Sequence, residues 1–478
     1  MTMLDEKISA MDFTAVQRMF IGRKPSFEKG YDAVMNEYNP KTHKVNSKIY
    51  RKDKKIKVPI DGKFDPVTGE QLFKSKDVPR VRVSVPVQRV LVERSVGFLF
   101  GIPVSYECTN DDTERRKELY KSVLKVMTDN KMEYNDKRLA RSLFSERECA
   151  EIWYFALDDE GKPSDIRLRL CSPSRGDGLF PHFDEYDRMD SFARSYSTTG
   201  EDDRKIHHLD VYTSEMLHRY SDEDGKWQQS ETPKKHGFSK IPVVYYRQEE
   251  SEWECVQPVI ERIEDLLSNW GDTNDYFGSP SYFVHGEIKG FAEKGEQGRV
   301  YQGNEGADMK VLSWDSSPAS ISHELATLTN IVFSYTQTPD VSFETMKQLG
   351  GNTSGVAIRL MFTDPHMKAS VKIEQFGEMF TRRCNIIKNG IATSLKAIPE
   401  EDVDSLVMTP KFTPYSPKNE KEMIEMINMS TGGKATMSQQ EGVRKNPIVS
   451  NADSVMTEMK QEQKEETAAQ MALNASNG

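Results

Sequence analysis

The chain has few cysteines and no long apolar run. Its five cysteines are scattered over 478 residues, and no two of them form a Cys-x-x-Cys pair. This pattern favours reduced thiols in an intracellular setting, with a disulfide or a zinc site as the open alternatives. The most apolar stretch, Val96 to Val104, is about half as long as a bilayer span requires. Because the charged start of the chain also lacks the apolar core of a secretory signal, we predict a soluble protein with no membrane partner.

The chain also lacks a surplus of positive charge. It has 65 lysines and arginines against 75 aspartates and glutamates, a formal charge of -10. Proteins that clamp nucleic acid usually carry a basic surplus. The composition therefore disfavours ordinary tight binding of DNA.

The usual signatures of catalysis are missing as well. The glycines of Leu349 to Gly355 are not followed by the Lys-Ser/Thr of a phosphate-binding P-loop. We find no Gly-x-Ser-x-Gly elbow, no His-Glu-x-x-His pair and no acidic cluster with two-metal spacing. The sequence therefore predicts no catalytic site and no cofactor.

One group of residues keeps a metal-dependent, nucleic-acid-processing enzyme open as an alternative. It consists of His207, His208, Asp210 and His218. Neighbouring side chains on a strand point to opposite faces, so the two adjacent histidines do not readily share one ion. We therefore interpret the group as part of a partly exposed sheet and predict no metal.

The most distinctive stretch, Val341 to Phe362, is a glycine-containing loop between two long helical patterns. Gly350 and Gly351 allow a sharp turn, and Asn352 or Thr353 can cap a helix that begins near Ser354. Apolar residues recur at helical spacing on both sides of the loop. They are Ile321, Leu325, Leu328, Val332 and Tyr335 before it, and Ile373, Phe376, Phe380, Cys384, Ile387 and Ile391 after it.

The pattern after the loop contains a proline. Pro365 falls inside the second of these helical patterns. Because proline removes a helical hydrogen bond, the sequence predicts a kink there.

The first half of the chain mixes helical and strand patterns. Residues 1–39 are predicted to be helical, and Asp61 to Glu70 contains the turn signals of a β-ribbon. Lys41 to Lys57 is strongly basic and is interpreted as a solvated hairpin, with a phosphate-contacting surface as the alternative. Val87 to Leu99 and residues 113–145 are again helical, whereas 150–248 reads as strands with turns at Asp158–Gly161 and Asp222–Gly225.

The second half begins with a helix at Val256 to Trp270. A strand-prone insert, Asn274 to Trp314, separates it from a helix that begins at Ser317-Pro318. From about Pro410 the chain is polar and helical, with a capping-box pattern at Ser438 to Glu441. Together these elements predict an α+β fold.

Four stretches in this order resemble the portal proteins of tailed bacteriophages. Val92 to Glu107 resembles the family's early helix, which ends at Gly-x-Pro before a strand. His236 to Gln248 is similar to the strand that leads towards the stem. Leu349 to Phe362 looks like the end of the tunnel loop and the start of the next helix, and Met437 to Val449 resembles the crown helices.

The resemblance implies a subunit with five regions. The wing would comprise 1–255 and 354–397, and the stem helices 256–273 and 317–340. The clip would be 274–316, the tunnel loop 341–353 and the crown with the C-terminal tail 398–478. Gly350 and Gly351 would be loop hinges. The residues facing DNA would be Thr345, Lys347, Gln348 and Asn352.

The resemblance also implies an assembly and its partners. The chain would form a ring, typically a dodecamer, at one capsid vertex of the virion, after assembly in the host cytoplasm. Double-stranded DNA would pass through the ring during packaging and ejection. Further partners would be the terminase large subunit, the major capsid or scaffolding protein and a head-completion adaptor protein. Another multimeric virion component, such as a connector or baseplate protein, remains the nearest alternative.

The charge balance is compatible with a channel. About six to ten firm phosphate contacts make DNA binding strong and steeply salt-dependent, and a ring that repeated them would stall DNA. A loop with Lys347 as its single cation, beside exchangeable amide and hydroxyl groups, would allow DNA to slide.

Overall fold

The computed structural model describes eleven stretches of the chain: 2–22, 27–200, 203–277, 281–285, 308–312, 318–338, 362–395, 398–415, 420–432, 435–449 and 451–476. Two compact units are present. Unit 1 comprises Met1–Pro339 and Pro365–Pro414, and unit 2 comprises Asp340–Asp364 and Tyr415–Gly478. The mixture of helices and sheets agrees with the predicted α+β class.

The helices and strands of the described residues have the following bounds. The α-helices are α1 (Met3–Ala10), α2 (Phe13–Phe20), α3 (Tyr31–Tyr38), α4 (Val87–Phe100), α5 (Glu114–Asp129), α6 (Met132–Glu146), α7 (Gln257–Phe277), α8 (Pro318–Tyr335), α9 (Thr363–Gly390), α10 (Glu400–Ser405), α11 (Glu420–Thr431), α12 (Gln439–Lys445) and α13 (Ala452–Ser476). The strands are β1 (Lys54–Phe64), β2 (Gln71–Val78), β3 (Ser105–Thr109), β4 (Glu148–Leu157), β5 (Pro163–Cys171), β6 (Gly178–Phe183), β7 (Met189–Thr199), β8 (Lys205–Tyr212), β9 (Met216–Ser221), β10 (Gln228–Lys235), β11 (Val243–Arg247), β12 (Ser281–His285), β13 (Asp308–Leu312) and β14 (Val407–Lys411).

Two antiparallel sheets form the centre of unit 1. One has the strand order β10-β9-β8-β7-β6, and the other has the order β11-β4-β5. The predicted turns are confirmed, since the N–H of Gly161 donates to the Asp158 carbonyl and that of Gly225 to the Asp222 carbonyl. Both glycines have positive φ, a conformation that costs glycine little.

The five-stranded sheet is covered on both faces. Alternation along its strands sends Phe192 and Tyr212 into a core shared with Ile152 and Val243 of the three-stranded sheet. The neighbouring residues point the other way and contact α1 and α2. The sheet therefore forms the middle layer between two helices and a second sheet.

The long helix α9 packs through the residues that its sequence pattern indicates. Phe376, Phe380, Cys384, Ile387 and Ile391 are all buried. Phe376 makes edge-to-face contacts with aromatic rings of α4 and α6. The prediction of a helical period on this side of the loop is confirmed.

Three small two-stranded sheets complete the described strands. β1 and β2 form the predicted ribbon, and β12 pairs antiparallel with β13 within the predicted insert. β14 pairs with β3. Residues up to Pro414 are grouped with unit 1, so the stretch 398–414, assigned above to the crown, begins with a helix and a strand of that unit.

Unit 2 contributes three described helices. They are α11, α12 and α13, and they match the predicted polar helical end of the chain. The Ser438 side chain accepts a hydrogen bond from the Glu441 N–H at 3.1 Å, which is the N-cap contact that the capping-box pattern predicts.

The structure also corrects several details of the sequence interpretation. The helical stretch 113–145 is two helices, because Asn130 ends α5 and Lys131 has a left-handed φ of 52°. Tyr335, expected on the buried face of α8, is 74% exposed. Pro365 lies in the first turn of α9. Residues 339–361 lie outside the described residues, so the kink stays a prediction.

Candidate functional site at the paired helices α7 and α8

In the sequence, α7 precedes and α8 follows the insert that contains β12 and β13. The two helices pack against each other. The apolar face of α7 is buried at Ile260, Ile263 and Leu266. Arg262 of α7 lies 2.6 Å from Glu324 of α8 in an ion pair. The helix predicted at Val256 to Trp270 is thus confirmed, and it forms a packed pair with α8.

The opposite face of α7 is polar and binds the basic segment near the N-terminus. We call residues 40–51 the strap. His43 Nδ1 lies 2.5 Å from Glu264 Oε1, and both side chains are almost fully buried. Lys44 lies 3.0 Å from Glu261, and the Tyr50 hydroxyl donates to Asp265 at 2.7 Å. The strap therefore binds acids of α7 through an ion pair and hydrogen bonds.

The far end of the strap is fixed by Arg51, which is buried. Its guanidinium donates to Asn269 at 2.8 Å and to Asp272 at 2.7 Å. The backbone N–H of Val81 donates to the other Asp272 oxygen at 3.0 Å. A planar guanidinium suits such multiple contacts better than an ammonium does. The interpretation of Lys41 to Lys57 as a solvated hairpin is wrong, because its first half is two 3₁₀ turns on α7 and only Lys54 begins a strand.

We call residues 339–361, which contain the two consecutive glycines, the central loop. The described residues on either side of it meet at one place. Lys368, in the second turn of α9, donates to the backbone carbonyl of Thr336 just after α8, at 3.0 Å. The same ammonium forms an ion pair with Glu252, which also lies 2.7 Å from Lys372. The end of α8, the start of α9 and the chain preceding α7 therefore meet at one buried carboxylate.

The charge state of this carboxylate follows from its neighbours. Burial raises the pKa of Glu252, but the ammonium groups of Lys368 and Lys372 outweigh that effect and lower it to about 2. Glu252 is therefore ionised at neutral pH. Ser95 adds a hydrogen bond to the carboxylate at 3.2 Å, so α4 is joined to the same group.

A second buried charge network holds α9 against the sheet. Arg383 is fully buried and forms ion pairs with Glu151 of β4 and Asp136 of α6. The Asp136 oxygen lies 2.8 Å from the guanidinium but without hydrogen-bonding geometry. Burial raises the pKa of Asp136 to about 6, although Arg383 opposes the change. The network fixes the helix that follows the central loop.

The residues that the sequence singled out for contact with DNA lie outside the described residues. They are Thr345, Lys347, Gln348 and Asn352, together with the hinges Gly350 and Gly351. The structure describes the residues that flank this loop, at Thr336 and Lys368.

The group considered for metal binding is dispersed. His207 Nδ1 lies 2.9 Å from the Ser197 hydroxyl, and His208 Nε2 lies 2.7 Å from that of Thr198. His218 is fully buried against Asp5 at 3.3 Å. Burial raises the pKa of Asp210, which lies 3.8 Å from Arg219. Within the described ranges, no three His, Cys, Asp or Glu side chains are placed to hold a metal ion.

The sequence reasoning missed Glu252, Lys368 and Lys372. The two lysines are four residues apart on α9, so they lie on one face of the helix. That spacing could have indicated a shared partner for the two lysines. The partner itself could not be identified, because Glu252 lies more than a hundred residues earlier in the sequence.

Two further findings concern the whole chain. Among the helices in the described stretches, none combines the length and apolarity that a membrane crossing needs. Residues 27–469 match the family described as phage portal protein, SPP1 Gp6-like. A search of curated proteins returned no match.

Proposed function

Since the chain belongs to the phage portal protein family, SPP1 Gp6-like, we propose that it assembles into a ring, typically of twelve copies, through which double-stranded DNA is packaged and later ejected. The family makes it a structural protein of the phage capsid rather than an enzyme. The observation that carries the proposal is the match itself, which extends over most of the chain.

The paired helices suit the role of a channel wall. In this proposal α7 and α8 are the stem, and the insert with β12 and β13 is the clip. The strap contacts four acids of α7. Glu261 and Asp272 form ion pairs with a lysine and an arginine of the strap, and Glu264 and Asp265 form hydrogen bonds with a histidine and a tyrosine of it. A stem helix whose acids are bound within the subunit remains in place while DNA moves past, because each contact joins the helix to the strap.

The tunnel loop is proposed to comprise 341–353 and to face the DNA. Twelve copies of Lys347 would form a ring of positive charge, and Thr345, Gln348 and Asn352 would exchange hydrogen bonds with successive phosphates. The base described at Glu252 and Lys368 supports this role, since a loop that touches a moving polymer needs ends that stay fixed.

The partners follow from the same proposal. The ring would occupy one capsid vertex, bind the terminase large subunit during packaging and then a head-completion adaptor. It would contact the major capsid or scaffolding protein, after assembly in the host cytoplasm.

Shortening the loop tests the proposal. Deletion of 347–352 should leave ring assembly intact but reduce the DNA packaged or retained, because both loop ends are fixed outside the deleted part. An equally short deletion in the C-terminal tail, 473–478, serves as the control. Normal filling of capsids by the loop variant would count against the assignment of the loop.

A further inference from the structure

The β1–β2 ribbon has two chemically different faces. Ile56 lies opposite Lys76, and Val58 opposite Lys74. Directly opposite residues share a face, and neighbours along a strand alternate between faces. One face, which we call the lysine face, carries Lys54, Ile56, Val58, Leu72, Lys74, Lys76 and Val78. The reverse face carries Lys55, Lys57, Pro59, Phe73, Ser75 and Asp77.

The lysine face is left largely open by the rest of the chain. Ile56 is 43% exposed and Leu72 is 38% exposed. Among the described residues, the ribbon is a sheet of two strands only. An isolated two-stranded ribbon is marginally stable in water, and its edges present unpaired backbone groups that invite a partner.

The root of the ribbon, in contrast, is firmly fixed. Arg82, just after β2, lies 2.5 Å from Asp53, just before β1, in an ion pair that joins the two ends of the ribbon. Arg82 also donates to the backbone carbonyl of Arg51 at 2.7 Å, and Arg51 is bound to α7 as described above. A ribbon that is fixed at its root and open along its length is arranged to contact another molecule.

The composition of the lysine face selects the kind of partner. It combines four apolar side chains with three lysines and contains no acid. The complementary surface must therefore offer apolar area with carboxylates around it. DNA supplies negative charge but little apolar area along its backbone. A protein surface rich in acids supplies both, and this chain carries 75 acidic residues against 65 basic ones.

We propose that the lysine face of the ribbon binds a neighbouring copy of this chain in the assembled ring. This inference rests on the proposed function, because it requires the ring. A rotational ring joins each copy to the next through two different surfaces. The lysine face is one of these surfaces, and an acid-rimmed apolar surface of the next copy is the other.

Matched substitutions on the two faces test the proposal. Ile56→Asp places a carboxylate in the proposed contact, whereas Phe73→Asp changes a more exposed apolar residue, 55% accessible, on the reverse face. The Ile56→Asp substitution removes apolar area from the contact and sets a carboxylate against the acids of the proposed partner surface. Like charges across an interface repel each other, so Ile56→Asp should lower the fraction of chains in rings at least about tenfold. Phe73→Asp should leave ring formation close to that of the unmodified protein.

A second pair of variants addresses charge. Lys76→Glu reverses a charge on the lysine face, and Lys57→Glu does the same on the reverse face. The first should reduce ring formation and the second should not. Mass photometry at equal protein concentration gives the ring fraction, and circular dichroism confirms that each variant is folded. Hydrogen exchange at 54–78 should be slower in rings than in dissociated subunits.

The outcomes separate this inference from the proposed function. If rings form but Ile56→Asp assembles normally and exchange at 54–78 is unchanged by assembly, the inference is overturned while the proposed function stands. If the unmodified protein forms no ring at all, the proposed function fails and the inference fails with it. Slower exchange that requires added double-stranded DNA would overturn the inference in favour of nucleic acid.

Discussion

Replacing Glu252 with glutamine removes the carboxylate that joins Lys368 and Lys372 at the base of the central loop. The pKa of Glu252 is about 2 in the folded protein, against 4.5 for the free side chain. Each pKa unit corresponds to about 1.4 kcal/mol, so the ionised carboxylate contributes about 3 kcal/mol to stability. The glutamine variant should lose a similar amount at pH 7, since two partly buried ammonium groups lose the negative charge that they share.

The pH dependence of this loss has a definite sign. Because the folded-state pKa lies below the unfolded one, the contribution is fully present above about pH 4.5 and is lost as the pH falls towards 2. The difference between the unmodified protein and Glu252→Gln should therefore be constant from pH 6 to 8 and shrink as the pH falls below about 4.5. Denaturant unfolding, followed by circular dichroism at fixed protein concentration, measures this difference.

A matched control is available close by in the chain. Glu249 is exposed and forms an ion pair with Arg247 at 3.3 Å. Exposed pairs contribute about 0–1 kcal/mol, so Glu249→Gln should change stability little at any pH. Equal effects of the two substitutions, or a Glu252 effect that does not depend on pH, would refute the role assigned to the buried carboxylate.

Four further predictions concern other described residues. Arg383→Met should cost about 3–5 kcal/mol, because it leaves two buried acids without the positive charge between them. Asp136→Asn should instead cost little at pH 7. Because the pKa of Asp136 is raised to about 6 in the folded state, the unmodified protein loses stability as the pH rises from about 4 to 6, and the asparagine variant should not show this loss. Denaturant unfolding at pH 4 and at pH 7 measures the stability of both proteins. Arg51→Ala should cost about 2–3 kcal/mol and speed hydrogen exchange in the ribbon, whereas Lys52→Ala, an exposed neighbour, should change stability by no more than about 0.5 kcal/mol. His208→Ala should leave the stability unchanged, and a metal chelator should affect neither the variant nor the unmodified protein. A metal-dependent nuclease activity that disappears with this histidine would restore the enzyme alternative.

Local patterns allowed much of the fold to be predicted. The period of Phe376, Phe380 and Cys384 identified the buried face of α9, because a helix repeats every 3.6 residues whatever it packs against. The ribbon could be predicted as well, since the turn residues between Asp61 and Glu70 are a local signal.

Contacts between distant segments could not be predicted in the same way. The strap appeared to be a solvated basic hairpin because its charges are visible, while their partners lie about 220 positions later on α7. Each α7 acid could equally have faced solvent. The pairing of His43 with Glu264 is set by the tertiary fold, which a single sequence does not specify.

The central loop could be predicted from the sequence only in part. Its glycines and polar residues mark a turn, and the helical patterns on both sides mark its ends. The feature that fixes those ends, Glu252 between two lysines, depends on three segments that meet only in the folded chain. The DNA-facing roles of Lys347 and its neighbours stay predictions.

The central claim is that the chain forms a closed ring with a channel. The most direct test is the mass and shape of the purified protein, by mass photometry and negative-stain imaging. Twelve copies of a 54.7 kDa chain predict particles of about 0.66 MDa with a central hole. Closed oligomers without a channel would contradict the account and favour another structural role in the virion.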